Sequence, residues 1–324
     1  MISQTRRTMT QINKILFLLF ASVLFASTVY AQGPRLIGER SVYSHHFLSP
    51  ILVNPGATGF EDQQELLINY RNSWATFPGS PRTVTFSYNG PIGNRLGVGA
   101  LLMTDKFAAL ETTKGQLSVA YSIESASNKV SFGLSAEYIQ HKLSGSEFDR
   151  DLVDISDIQI TQRLDGSQFF DVSFGAYGVY NKKIIYGLTL PTLVSSRLSS
   201  GPDGTQGREF GFIANLGYRM PIEGYDVTIE PSVYVKQLML VPFHADFNLK
   251  AQFLEERLTG GVSYTLGGDE KFGFLLGTKL QTFEFLYSYN ISMHGFQNYN
   301  NGSHEFSIKF NISPVKTEVI EVTQ

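Results

Sequence analysis

Hydrophobic and polar residues alternate along most of this chain, with a period of two from residue 65 onward. The alternation is clearest in residues 225–236, 243–252 and 305–312. A period of two is typical of β-strands whose two faces meet different surroundings. The pattern predicts fourteen strands, near residues 65–71, 83–89, 95–104, 113–124, 129–142, 168–180, 183–190, 208–219, 225–236, 243–252, 257–266, 270–280, 282–291 and 305–312.

The connections between these strands alternate in length. Short connections follow the even-numbered strands, and longer ones, at 72–82, 143–167, 191–207 and 292–303, mostly follow the odd-numbered strands. The connection at 267–269 is the one that we expect to be short on the long-loop side. An even number of strands, with short turns on one side and long loops on the other, is typical of transmembrane β-barrels. The sequence therefore predicts an all-β fold, a transmembrane antiparallel barrel of about 14 strands spanning residues 64–313.

A soluble β-sandwich would also alternate, with its apolar face turned to a core. Two features favour the barrel, whose apolar face would be in contact with outer-membrane lipid. Charges lie in mid-strand on the polar face, where a polar lumen accepts them: Arg71, Glu137, Glu230, Asp246, Lys250, Glu284 and Lys309. Aromatic residues gather near the short turns, as in an interfacial girdle: Tyr88, Tyr180, Tyr218, Tyr225, Phe253 and Phe283.

The ends of the chain do not follow the strand pattern. Residues 1–31 have the basic start, apolar centre and small residues before Gln32 of a secretory signal peptide, which is too short for a typical membrane anchor. Residues 32–63 are apolar but interrupted by prolines, so we expect a non-strand segment that plugs the barrel or covers its periplasmic mouth; a flexible linker is the alternative. Residues 314–324 form a predicted periplasmic tail. The expected location is the outer membrane, with both termini periplasmic.

Composition excludes several kinds of chemistry. Charged residues make up only 17% of the chain, the formal net charge is −3 and the mean hydropathy is −0.06. These values favour neither nucleic-acid binding nor a bundle of membrane-spanning helices. The chain has no cysteine, which rules out disulfides, thiolate metal sites and cysteine nucleophiles.

Common catalytic and cofactor motifs such as GxGxxG, HExxH and GxSxG are missing from the sequence. We therefore expect no enzymatic activity, no cofactor and no metal. Two adjacent residues of a strand face opposite sides, so His45 and His46 are interpreted as a surface or partner contact rather than a metal site. The acidic loop 143–167 lacks EF-hand spacing and is interpreted as a solvated loop.

Three short elements between residues 47 and 91 carry a family resemblance. Their residues are Asn54, Pro55, Ala57 and Gly59 in the first element, Tyr70, Arg71 and Trp74 in the second, and Gly79, Pro81 and Thr83 in the third. This order resembles the PorP/SprF family of outer-membrane proteins, which belong to the type IX secretion and gliding machinery of Bacteroidetes. Gly56 and Thr58 depart from the family's first element. The resemblance is sharp over this stretch and extends over the rest of the chain only as a barrel pattern.

The resemblance implies a non-enzymatic barrel that exports or anchors a large secreted adhesin through the adhesin's C-terminal domain. Components of the periplasmic secretion ring are the other partners that it implies, and a structural barrel tied to that ring is an alternative function. A channel for a small solute, similar to the fatty-acid transporters, is a rival from another class. An outer-membrane enzyme is a third reading, against which the missing motifs count.

The residues of the three elements also have physical roles. Asn54, Pro55 and Gly59 suit a rigid turn. Arg71 should face the lumen, with Glu305 on the closing strand as its partner. Trp74 and Phe77 lie just past the first strand, at the height of an interfacial belt. Shaping the first hairpin and contacting a partner or plug are both compatible with this pattern.

Overall fold

The computed structural model describes residues 43–61, 63–143, 167–194, 196–197, 211–238, 243–268 and 270–312. Several sequence predictions concern residues outside these ranges. They are the signal peptide at 1–31, the tail at 314–324, almost all of the loop 143–167 and most of the loop 191–207.

Sixteen strands are present in the described residues, and they occupy fourteen strand positions around one barrel. The bounds are β1 Gln64–Asn72, β2 Arg82–Ile92, β3 Leu96–Phe107, β4 Leu110–Glu124, β5 Asn128–Leu143, β6 Ser167–Tyr180, β7 Ile184–Leu190, β8 Ser196–Arg197, β9 Phe212–Tyr218, β10 Met220–Ile222, β11 Val227–Gln237, β12 His244–Phe253, β13 Leu258–Leu266, β14 Lys271–Lys279, β15 Phe283–Ser292 and β16 Ser303–Ile312. Strands β9 and β10 both pair with β11. They occupy one strand position in the barrel, with an interruption at Arg219. The two-residue β8 pairs with β6 and lies off the main path.

Every pairing is antiparallel, and the last strand closes the barrel on the first. Strand β1 pairs with β16 along its whole length, from Gln64 opposite Ile312 to Asn72 opposite His304. The β7–β9 and β9–β11 pairings complete the ring. Closure satisfies the backbone groups that an open edge would leave unpaired. The predicted 14-stranded antiparallel barrel is therefore confirmed.

The two ends of the barrel differ. Strand β1 begins and β16 ends at the same end, which also has the short turns; we name this the terminal end, and the opposite one the loop end. One connection differs from the expectation, because β3 and β4 are joined at the loop end by only Ala108 and Ala109. These strands keep pairing beyond their apolar stretches, as far as Phe107 opposite Leu110. Backbone pairing needs no apolar side chains, so the apolar pattern underestimates strand length.

The outer surface of the barrel is apolar and the lumen is polar. On β4, Leu117, Val119 and Tyr121 are exposed outward, whereas Gln116 and Ser118 are buried inside. This is the reverse of a sandwich, whose apolar faces turn inward. The seven charges predicted to face the lumen are all in ion pairs: Arg71–Glu305, Lys114–Glu137, Lys236–Asp246, Lys250–Glu230 and Lys309–Glu284. Among the described residues, no helix has the length and apolar character needed to cross a membrane.

The predicted aromatic girdle lies at the terminal end. Five of its six members are exposed on the outer surface, and Tyr88 is half-buried. The five are Tyr180, Tyr218, Tyr225, Phe253 and Phe283. Rings at this height combine an apolar body with access to water, which suits a membrane interface.

Residues 43–61, which we call the plug, lie in the lumen and contain no strand. Two short 3-10 helices, Pro50–Leu52 and Pro55–Ala57, give the plug its shape. Each has a proline in its first turn, where the missing backbone N–H costs nothing. Leu48 and Leu52 pack with wall residues, including Leu67, in an apolar cluster inside the otherwise polar lumen. A third 3-10 helix, Gly295–Tyr299, lies in the last loop.

Candidate functional site: the plug and its vestibules

The carboxylate of Glu305 connects the closing seam of the barrel to the plug. It is fully buried and accepts a hydrogen bond from Arg71 Nη1 at 2.7 Å and from Asn69 Nδ2 at 2.9 Å. It also accepts from the backbone N–H groups of Ser44, at 3.0 Å, and His45, at 3.3 Å. One carboxylate on β16 therefore binds β1 and the plug at the same point. The pairing of Arg71 with Glu305, and the inward orientation of Arg71, are as the sequence predicted.

His45 is buried between two serines of the barrel wall. Its Nδ1 lies 2.8 Å from the Ser307 hydroxyl, and its Nε2 lies 2.9 Å from the Ser288 hydroxyl. Burial lowers the pKa of His45, so the ring is neutral and both nitrogens take part in uncharged hydrogen bonds. Neither serine was singled out from the sequence. Small polar residues at inward-facing strand positions are the sequence feature that could have indicated such contacts.

His46 turns to the opposite wall of the barrel. Its ring lies 3.6 Å from the ring centre of Tyr234, and its Nδ1 lies 3.4 Å from the Tyr43 carbonyl oxygen. Burial lowers the pKa of His46 to about 4. The interpretation of the two histidines as a surface contact was wrong, because both are buried. That interpretation assumed strand geometry, whereas the plug is irregular and sends neighbouring side chains in unrelated directions.

The Asn54–Pro55 turn seats the plug against the barrel wall. Asn54 Oδ1 accepts from the Gly56 N–H at 2.8 Å, and its Nδ2 donates to the Ala176 carbonyl at 2.9 Å. The wall has glycines where the turn touches it. A Cβ at Gly133 would lie 2.1 Å from the Pro55 carbonyl oxygen, and one at Gly175 would lie 2.1 Å from Asn54 Oδ1. Glycines at inward strand positions, which the sequence analysis overlooked, therefore mark where the plug docks.

Gly59 ends this turn with a left-handed backbone, at a φ of 63°. That conformation suits glycine. Its N–H donates to Asn89 Oδ1, and Asn89 donates in turn to Glu65 at 3.3 Å. Thr58, which departs from the family's first element, donates to the Ser118 hydroxyl at 3.0 Å. The first element as a whole therefore lies against the lumen wall.

The second and third elements shape the first loop. Trp74 has a left-handed φ of 56°, donates its N–H to the Ser303 hydroxyl at 3.2 Å and packs on Phe107. Further contacts order the rest of this loop: Phe77 N–H to the Trp74 carbonyl at 3.0 Å, Ala108 N–H to the Gly79 carbonyl at 2.9 Å, Ser73 N–H to the Pro81 carbonyl at 2.9 Å, and Thr83 Oγ1 to Asp105 Oδ1 at 2.7 Å. Tyr70 differs, because it is exposed on the outer surface. Trp74 lines the lumen mouth, although the sequence placed it at the height of an interfacial belt.

The plug leaves two cavities in the lumen. The loop-end vestibule spans about 1360 Å³, a volume that includes open solvent, and is bounded by Arg71, Trp74, Asp246 and Asn290, among others. The terminal-end vestibule spans about 1550 Å³, again with open solvent included, and is lined by residues such as Glu65.

Both vestibules share the residues Phe47, Glu230, Ser232 and Lys250. Lys250 Nζ lies 5.3 Å from the centre of the Phe47 ring and 3.0 Å from Glu230 Oε1. This contact between the plug and the wall separates the cavities. We call it the constriction.

A closed barrel with an apolar outer surface, a polar lumen and an internal plug defines an outer-membrane β-barrel protein. Within the described ranges, no group of three or more His, Asp or Glu side chains could hold a metal ion. The sequence model of the type IX secretion system membrane proteins PorP/SprF matches residues 37–310. The chain belongs to this family, so the predicted family is confirmed.

Other comparisons add only distant similarities. No curated protein matches the chain. The CymD monoaromatic hydrocarbon channel has 12% identity and a TM-score of 0.49, over 86% of this chain and 94% of CymD. The Acinetobacter baumannii outer membrane protein Omp33 has 8% identity and a TM-score of 0.46, over 79% of this chain and 100% of Omp33. These values are too low to support a statement about function.

Proposed function

We propose that this protein is a non-enzymatic barrel that exports or anchors a large secreted adhesin at the cell surface, through the adhesin's C-terminal domain. Family membership supplies the secretion context. The observation that carries the proposal is the plug, which lies in the lumen, is fastened at Glu305 and is seated on wall glycines. A plugged barrel suits a rigid docking platform better than an open pore.

The proposed orientation puts the terminal end in the periplasm and the loop end outside the cell. Both termini would then be periplasmic, after removal of residues 1–31 as a signal peptide. Components of the secretion ring would meet the terminal end, and the adhesin would meet the loop end. Loop 143–167 is rich in Asp and Ser, loop 191–207 in Ser and Gly, and loop 292–303 in Asn and Gly, a composition that can form a polar protein interface.

A deletion strain tests this proposal. Loss of the gene should remove one large adhesin, or a small set, from the cell surface while other type IX cargo is still secreted. Capture with the intact barrel should recover the adhesin's C-terminal domain. A variant with a shortened 143–167 loop should capture less of it, and a variant with a changed terminal-end turn at Gly93 serves as the control. Normal surface adhesin in the deletion strain would contradict the proposal.

A small-solute channel is the second candidate, and the two vestibules favour it. They meet at Phe47 and Lys250, so a shift of one side chain could join them. In planar bilayers, Phe47→Ala should then raise conductance by severalfold. Phe60→Ala should not, because Phe60 packs on Tyr177 and borders the terminal-end vestibule rather than the boundary between the two. Lost uptake of a small molecule in a deletion strain with normal adhesins would favour the channel.

A further inference from the structure

Basic residues lie on the outer face of strands β2, β3 and β5, at the loop end. They are Arg82, Lys106 and Lys142, and all three side chains are exposed. Each shares its face with apolar residues of the same strand that point outward, such as Phe86 on β2 and Leu102 on β3. The outer face therefore changes from apolar to basic at this end, where the apolar band gives way to lipid headgroups.

Two of these cations face each other directly. Arg82 lies opposite Lys106 in the β2–β3 ladder. Like charges in opposite positions repel, which disfavours this pairing unless an anion lies near. Glu111 meets Lys106, with 3.4 Å between Oε2 and Nζ, but Arg82 has no carboxylate partner among the described residues. The row of Arg82, Lys106, Glu111 and Lys142 thus carries three positive charges and one negative charge.

The opposite ends of these strands differ in character. The outward positions nearest the terminal end on β2, β3 and β4 are Ile92, Leu96 and Ile123, which are exposed and apolar. A phosphate-bearing headgroup on one side of the membrane fits this asymmetry. Arginine binds phosphate with two parallel hydrogen bonds, and lysine neutralises it as a point charge.

An apolar groove lies on the same outer face, further toward the terminal end. Leu66 and Ile68 of β1 form its floor, Phe86 and Tyr88 of β2 form one side, and Phe310 of β16 forms the other.

The groove lies within one leaflet's depth of the basic pair. Phe86 follows Arg82 by four residues on the same face of β2. At about 3.4 Å per residue and a strand tilt of about 40°, the two differ in depth by about 10 Å, less than half of a hydrocarbon core of about 30 Å. A lipid with its headgroup at Arg82 can therefore place an acyl chain in the groove.

In the orientation proposed above, the loop end lies in the outer leaflet, where a Gram-negative outer membrane carries phosphorylated, acylated glycolipid. We propose that the outer face of β1–β3 binds one molecule of such a phosphorylated glycolipid. Its phosphate lies between Arg82 and Lys106, and one of its acyl chains lies in the groove. This site goes beyond adhesin binding and rests on the proposed orientation alone.

Native mass spectrometry of the purified full-length protein, released from an uncharged detergent, tests the site. Diphosphorylated lipid A is titrated in parallel with phosphatidylglycerol. We expect one lipid A to bind saturably, about tenfold more tightly than phosphatidylglycerol, because lipid A has phosphate monoesters and more acyl chains. An equal concentration of inorganic phosphate or of a tetra-glutamate peptide should not displace it, since neither fills the groove.

Paired variants separate this site from general attraction between a basic protein surface and an anionic lipid. The double variant Arg82→Gln/Lys106→Gln should weaken lipid A binding about tenfold or more. Arg95→Gln/Lys182→Gln is the matched control, because it removes the same charge from exposed residues in terminal-end turns and should bind as the wild type does. Equal losses in the two double variants would overturn the proposal.

The groove is tested without a change of charge. Leu66→Trp fills its floor and should weaken binding severalfold, whereas Leu117→Trp, on the lipid-facing surface of β4, should not. Heat-dependent gel mobility checks that each barrel is folded. No saturable binding of lipid A, equal affinity for phosphatidylglycerol, or displacement by phosphate or the peptide would overturn the proposal. Because no adhesin is present, this test can fail while adhesin capture succeeds, and the reverse.

Discussion

Arg71 and Glu305 lie directly opposite each other where the first and last strands meet, with 2.7 Å between Nη1 and Oε2. Both side chains are buried in the lumen, and the carboxylate also accepts two backbone N–H groups of the plug. Barrel closure and plug docking therefore depend on the same ion pair.

Removing one partner of this pair should destabilise the protein strongly. In Glu305→Gln the Arg71 charge stays buried without its counter-charge, which costs about 3–5 kcal/mol. We expect a large drop in the midpoint of urea unfolding in lipid vesicles. Lys106→Ala is the control, because the Lys106 side chain is 63% exposed in its pair with Glu111. An exposed pair contributes less than about 1 kcal/mol. Equal effects of the two variants would contradict the role of Glu305.

The two faces of a strand should respond differently to the same substitution. Leu117 lies near the centre of β4 and is 68% exposed on the outer surface. Leu117→Arg puts a charge into lipid, at a cost of about 2–4 kcal/mol near mid-membrane. The neighbour Gln116 faces the lumen opposite Glu137, so Gln116→Arg should be tolerated better. The fraction of folded barrel after insertion into vesicles, read from gel mobility, measures both. Similar losses would mean that the faces are assigned wrongly.

Adding a methyl group where the wall touches the plug should displace the plug. Gly133→Ala would put a Cβ 2.1 Å from the Pro55 carbonyl, too close for either backbone to stay in place. We expect the barrel to assemble and its conductance in planar bilayers to rise. Gly260→Ala is a matched control, because nothing lies within 4 Å of its added Cβ. Unchanged conductance in Gly133→Ala would show that the plug tolerates the change.

Plug release should become easier as the pH falls. Burial is the main cause that lowers the pKa of His46 to about 4, and Lys236 lowers it further; Asp246, Glu305 and the Tyr43 carbonyl act in the opposite direction. Between about pH 6.5 and pH 4, a released His46 binds a proton that the docked one does not. The docked state therefore loses up to about 3 kcal/mol as the pH falls to 4, and is insensitive to His46 above about pH 6.5.

Conductance recorded from pH 7.5 down to pH 4.5 checks this prediction. The open fraction should rise at low pH in the wild type. The rise should be smaller in His46→Gln, because glutamine cannot take up the proton. The remaining rise would come from His45, because burial lowers the pKa of that residue too. A pH profile that is the same in both proteins would assign the effect to other groups.

Much of the architecture was predictable from the sequence because successive residues of every barrel strand alternate between the lipid face and the lumen face. Alternation gave the fourteen strands, the inward charges and the outward aromatic girdle, since lipid and lumen select different residues at successive positions. The opposition of Arg71 and Glu305 followed from the phase of the first strand and the closure of the last.

The side-chain directions and wall contacts of the plug depend on the tertiary structure. A segment without periodicity does not reveal where its side chains point, so His45 and His46 could be placed only by the walls around them. Gly133 and Gly175 look like ordinary strand glycines until the Asn54–Pro55 turn is seen against them. The vestibules exist only where the plug fails to fill the lumen, between strands far apart in the chain. Local sequence determines which way a strand faces, whereas the contacts of an irregular segment depend on the whole closed barrel.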